Sequence, residues 1–83
     1  MNNEYKIRIP HFYCLEYYEG NKKMVLDIDF REKQIVLSRD MIKNWENPYE
    51  NITLQDKEKR RILENIRNYL LKNNSPERIV MAQ

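Results

Sequence analysis

Tyr13-Cys14-Leu15-Glu16-Tyr17-Tyr18-Glu19-Gly20-Asn21-Lys22-Lys23-Met24-Val25-Leu26-Asp27-Ile28-Asp29-Phe30 reads as a hairpin folded about Gly20-Asn21. A two-residue Gly-Asn loop suits a type II′ turn, in which glycine takes the first central position at positive φ. Glu19 then pairs with Lys22. The same register sets Tyr17 opposite Met24, Leu15 opposite Leu26 and Tyr13 opposite Ile28, all on one face. Met24, Leu26, Ile28 and Phe30 alternate with Val25, Asp27 and Asp29, the pattern of a half-buried antiparallel strand. The apolar face is the core face. The other carries Phe12, Cys14, Glu16 and Tyr18 opposite Asp29, Asp27, Val25 and Lys23.

Upstream, Tyr5, Ile7 and Ile9 alternate with Lys6 and Arg8, and Pro10, which has no amide donor, marks an edge strand or its end. Downstream, a four-residue turn at Arg31-Glu32-Lys33-Gln34 returns the chain so that Ile35 faces Phe30 and Leu37 faces Ile28. Strands are therefore expected at about 5–10, 12–19, 22–30 and 34–39. A fifth at 41–45, through Met41, Lys43 and Trp45, is favoured over a helical turn at 40–44. Thr53 is the expected N-cap of a helix over about 54–72, with Asp56 as its capping-box partner. Ile62, Ile66, Tyr69 and Leu70, with Leu63 beside them, give that helix one apolar stripe. Asn73-Asn74-Ser75-Pro76 stops it. In the tail, 73–83, Ile79, Val80 and Met81 either pair as a strand or fray. The expected fold is α+β: one domain, 1–83, with a small antiparallel β-meander of three to five strands and one long C-terminal amphipathic helix packed on one face.

Eighty-three residues hold a single core and exclude a two-domain chain. Fifteen basic against thirteen acidic residues give a net charge of +2. Divided at residue 52, the charge is −1 before and +3 after, too small an excess to mark a nucleic-acid binder. No run approaches the roughly 18 apolar residues of a membrane span, and Met1-Asn2-Asn3-Glu4 does not begin a leader. One cysteine, Cys14, permits no internal disulfide. These features together suit a cytoplasmic protein.

Catalytic, cofactor and metal sites are not expected. His11 follows Pro10 in a turn, Cys14 lacks a partner cysteine, and Asp27 and Asp29 share a sheet face with Lys23, the pattern of a solvated surface. Lys57, Lys59, Arg60 and Arg61 crowd the first turns of the helix, offset by Asp56 and Glu58, with Asp56 and Arg60 spaced as an i, i+4 pair. A solvated face explains them best, with docking to an acidic partner or to RNA as the functional alternative. Trp45-Glu46-Asn47-Pro48-Tyr49 sets two aromatics in a polar loop, where anchors of interfaces are often found. Trp45 either closes one end of the core or meets a partner, and a half-buried Trp does both. The partner-contact candidates are Trp45, Tyr49, Arg60, Arg61, Phe12 and Tyr18.

Lys23-Met24-Val25-Leu26, then Ile42-Lys43-Asn44-Trp45-Glu46-Asn47-Pro48, then Ile52-Thr53 leading into Glu64-Asn65-Ile66 and Tyr69-Leu70, resembles small immunity proteins encoded beside bacterial polymorphic toxins. The resemblance covers about residues 22–71. It implies a chain that binds and neutralises one cognate toxin protein, without catalysis or cofactor. A charge of +2 provides no steering toward a basic nuclease cleft, so steric occlusion, with Trp45 and Tyr49 as anchors, is preferred to imitation of a nucleic acid. Two other classes stand beside it. One is a nucleic-acid-associated or regulatory module using Lys57, Arg60, Arg61 and Arg67, and the other is a homodimer that pairs exposed sheet edges.

Overall fold

A computed structural model describes residues 4–82. Residues 1–3, on which the absence of a leader was read, and Gln83 at the end of the tail lie outside them. Three antiparallel strands, β1 (Lys6–His11), β2 (Cys14–Glu19) and β3 (Lys22–Asp27), form a sheet in that order. The hairpin register is the expected one: Glu19 faces Lys22, Tyr17 faces Met24 and Leu15 faces Leu26. Gly20 has φ +58° while Asn21 keeps a negative φ, as a type II′ turn requires. β1 is an edge strand. Its register with β2 slips by one between Arg8 and His11, where Pro10 cannot donate to the ladder.

With that slip β2 starts late, at Cys14. Phe12 and Tyr13 belong to the turn, not to a strand over 12–19, and Tyr13 is exposed instead of entering the core. β3 likewise stops at Asp27. The Asp29 carboxylate accepts the Arg31 amide at 3.0 Å, a local turn that competes with strand pairing. Phe30 and Ile28 still donate to the carbonyls of Phe12 and Tyr13, which ties the turn to the mouth of β2. The chain therefore does not fold back on β3. β4 (Ile35–Leu37) instead pairs in parallel with β5 (Ile79–Met81), a second, two-stranded sheet made by the tail. Arg78 secures this arrangement by donating to the carbonyls of Phe30 and Glu32.

The fifth strand expected at 41–45 is replaced by a 3-10 turn at Arg39–Met41. Ile42 and Trp45 are both buried, and a spacing of three places them inward together where the alternation of a strand would not. Met41 and Ile42 donate to the carbonyls of Ser38 and Arg39, closing the turn. The helix, α1 (Asp56–Leu71), is capped by Gln55 and not Thr53. Glu58 completes the cap by accepting the Gln55 amide at 3.0 Å, the role expected of Asp56. Asp56 pairs with Arg39 at 3.0 Å, not with Arg60.

Ile62, Leu63, Ile66 and Leu70 bury one stripe of α1 against Leu15, Tyr17, Met24 and Leu26 of the hairpin and Ile35 and Leu37 of β4. Tyr69 and Phe30 are partly buried at the margin. Ile7, Ile28, Ile42, Trp45, Leu54 and Ile79 complete the core. The architecture is α+β, with the helix on one face of the antiparallel sheet and the other face open.

Candidate partner-binding surface

Trp45 lies in the core. It is 3% exposed and stacks on Tyr17 at 6.3 Å between ring centroids, and Tyr17 in turn stacks with Tyr5 at 5.8 Å. The Lys22 ammonium sits 5.6 Å from the indole centroid. The loop carrying Trp45 is held to the sheet because the Glu46 amide donates to the Lys23 carbonyl at 2.7 Å. Of the two roles open to it, the residue closes the core and presents almost no surface to a partner. Tyr49, beyond the cis Asn47–Pro48 bond, is half-buried against the same core.

Tyr17 is the hub of a polar bond set linking the hairpin to α1. Its hydroxyl donates to the Glu19 carboxylate and accepts from the Asn65 amide at 2.9 Å. Arg61 meets the other Glu19 oxygen at 2.7 Å, so this cation serves the fold. Burial above all, and then the Glu19 carboxylate, raise the Tyr17 phenol well above its ordinary range. Arg60 points to solvent.

Beyond the Pro10 slip the aromatic side chains behave differently. Phe12 is 60% exposed and Tyr13 49% exposed, packed edge to face at 6.3 Å. Arg31 covers both rings, its guanidinium 4.5 Å from the Tyr13 centroid and 5.8 Å from that of Phe12. Asp29 grips the same guanidinium at 3.2 Å, and these bonds from Arg31 hold the carboxyl below the usual range. The result is an exposed aromatic tip fixed by a charged strut. Phe12 was legible as a contact candidate, but Tyr13 and Arg31 were missed. The signal was Pro10 followed by Asp29-x-Arg31: a strand broken before Tyr13, and an Asp turn aiming an arginine at it.

On the open sheet face Tyr18, half-buried, donates to Glu16 at 2.9 Å. That bond, with Lys23 and Arg8 at 3.6 and 3.5 Å, lowers the Glu16 pKa against the opposing effect of desolvation. The register also sets His11 beside Cys14 and Cys14 beside Asp27. His11 turns away to Tyr13, whose amide donates to Nδ1 at 3.5 Å. Among the described residues no three His, Cys, Asp or Glu side chains converge closely enough to hold a metal ion, and no helix is long and apolar enough to cross a membrane.

The surface thus offers an exposed aromatic tip, an open sheet face and a polar cleft of about 710 Å³ between segments 40–44 and 50–54. Against known families, the profile described as Immunity protein 74 matches residues 21–77, well over half the chain. The chain belongs to the Immunity protein 74 family. Among curated proteins and solved structures, none matches. The part shared with Immunity protein 74 takes in β3, the Trp45 loop, α1 and the strut residues Asp29 and Arg31. Phe12, Tyr13 and all of β1 lie before it, so the strut belongs to the matched segment and the rings it holds do not.

Proposed function

We propose that this chain binds one cognate bacterial toxin in the cytoplasm and neutralises it by covering its working surface, without catalysis of its own. Membership of an immunity-protein family supports the class of function. The observation that carries the contact surface is the tip, where Phe12 and Tyr13 stand exposed yet fixed around Arg31. Interfaces draw most of their energy from such aromatic and arginine anchors, and side chains already held in place lose little freedom on docking. Tyr18 on the open sheet face and Arg60 on α1 join the proposed contacts. Trp45, Tyr49 and Arg61 act from beneath by holding the scaffold. A half-buried Cys14 without a disulfide suits a reducing compartment.

Titration calorimetry with the toxin domain encoded beside this chain tests the proposal. Phe12→Ala is expected to weaken binding by more than about 1 kcal/mol with the fold intact. Failure of the wild-type chain to bind or silence that toxin would remove the function. Unchanged affinity in Phe12→Ala would leave the function and move the contact off the tip.

A further inference from the structure

The open sheet face does not stop at β3. Val25 and Asp27 continue across Met41 of the 3-10 turn to Val36 of β4, forming two shallow concavities of about 210 and 220 Å³ that share Asp27 and Met41 as walls. The floor is apolar, with Val25 39% and Val36 50% exposed. The rim is acidic, bearing Asp27, Glu32 and Asp40 with Asp29 at one end and Lys43 at the other. Asp29 is neutralised by Arg31, whereas Asp27, Glu32 and Asp40 take part in none of the ion pairs among the described residues. A chain of net charge +2 thus carries a groove of the opposite sign. The whole-chain sum that argued against electrostatic steering conceals it. Through Arg31, which holds Asp29 and covers Phe12 and Tyr13, the groove is continuous with the aromatic tip.

We infer that this groove receives a lysine- or arginine-bearing segment of the toxin. The aliphatic stems lie on Val25, Met41 and Val36 while the cationic ends reach Asp27, Glu32 and Asp40. Long cationic side chains match this combination because they cover apolar surface and carry their charge to its edge. Unpaired carboxylates around the groove accelerate encounter with such a segment, and salt screens that gain. The inference rests on the reading of the chain as a toxin binder and adds the chemistry of the partner.

The experiment measures association of the full chain with the toxin domain at low and high salt. The triple variant Asp27→Asn, Glu32→Gln, Asp40→Asn is expected to lose affinity by about tenfold or more and to lose most of the salt dependence of its association rate. Val36→Lys, a cation set on the floor of the groove, produces a comparable loss through a single exposed position. Glu64→Gln, an exposed carboxylate on α1 outside the groove, leaves the affinity and the salt dependence in place. A triple variant that associates at the wild-type rate with the wild-type salt dependence overturns the groove and leaves the toxin-binding reading standing. A loss in Val36→Lys alone also overturns it, since the contact is then apolar and not cationic. A wild-type chain that does not bind the toxin brings down both. Self-association in sedimentation that the triple variant abolishes would assign the groove to a second copy and overturn the inference as well.

Discussion

Two groups of aromatic side chains in this small molecule do opposite things. Tyr17 and Trp45 stack in the core with half-buried Tyr5 packed on Tyr17, while His11, Phe12 and Tyr13 meet edge to face in the open. Composition does not separate them. Tyr17 lies within a strand whose face meets α1, and Trp45 is drawn under by the bond that ties its loop to β3. Phe12 and Tyr13 stand beyond the slip at Pro10, where the ladder can no longer aim them inward. An aromatic residue in a polar loop is therefore not an anchor by virtue of its loop. It becomes one when the backbone leaves it exposed and a neighbour such as Arg31 holds it still.

The sharpest division between the two groups is in stability. Trp45→Ala removes a ring that is 3% exposed and should cost about 3–5 kcal/mol in chemical denaturation. A loss under about 1 kcal/mol would mean that the stack is not structural and would return Trp45 to the list of contacts. Next comes Tyr17→Phe, which keeps the ring but strips a partner from Glu19 and Asn65, at about 1–2 kcal/mol. The same hydroxyl has a pH signature. Its folded pKa is raised, so its contribution is complete below the ordinary phenol value of about 10 and is lost as pH climbs from there through the folded value. Ultraviolet titration should show one of the six tyrosines ionising last, and Tyr17→Phe should delete that step.

The hairpin and the stripe of α1 were legible because each repeats a local rule. Alternation about Gly20 defines one register, and a one-residue slip would send Leu15, Tyr17, Met24 and Leu26 to water. The segment from Asp29 to Leu54 obeys no such period. Its course depends on Asp29 bonding its own backbone, on Arg78 arriving from the tail and on Met41 closing a turn, none of which a pattern of apolar residues reveals. Ile35-Val36-Leu37 has the right composition for a strand, but its partner, Ile79-Val80-Met81, is more than forty residues away and parallel. The candidate tip was less legible: Phe12 was expected on the outer face of a strand and stands exposed in a turn instead, Tyr13 was expected in the core, no apolar period marks Arg31, and Trp45 lies in the core.

On the exposed side the stability effects shrink and the binding effects take over. Phe12→Ala should change stability by no more than about 0.5 kcal/mol, since the ring is 60% exposed, while carrying the binding loss proposed above. A Phe12→Ala protein that melts as far below wild type as Trp45→Ala would erase the distinction between stack and tip.

The smallest effect concerns what fixes the tip. Arg31 lowers the folded pKa of Asp29, so the pair is intact above the ordinary carboxylate value of about 3.9 and loosens as pH falls through the lower folded value. Its side chains are exposed, so little global stability rides on it. The readout is local: carbon-detected titration should place the Asp29 midpoint below that of a free aspartate, and the Tyr13 ring resonances should move with it because the guanidinium that lies over the ring is the one being released. Asp29→Asn should then weaken toxin binding by less than Phe12→Ala does, because the rings remain and only their restraint is lost. If Asp29 titrates at the ordinary value, Arg31 is no strut. Phe12 and Tyr13 would then owe their exposure to the slip at Pro10 alone.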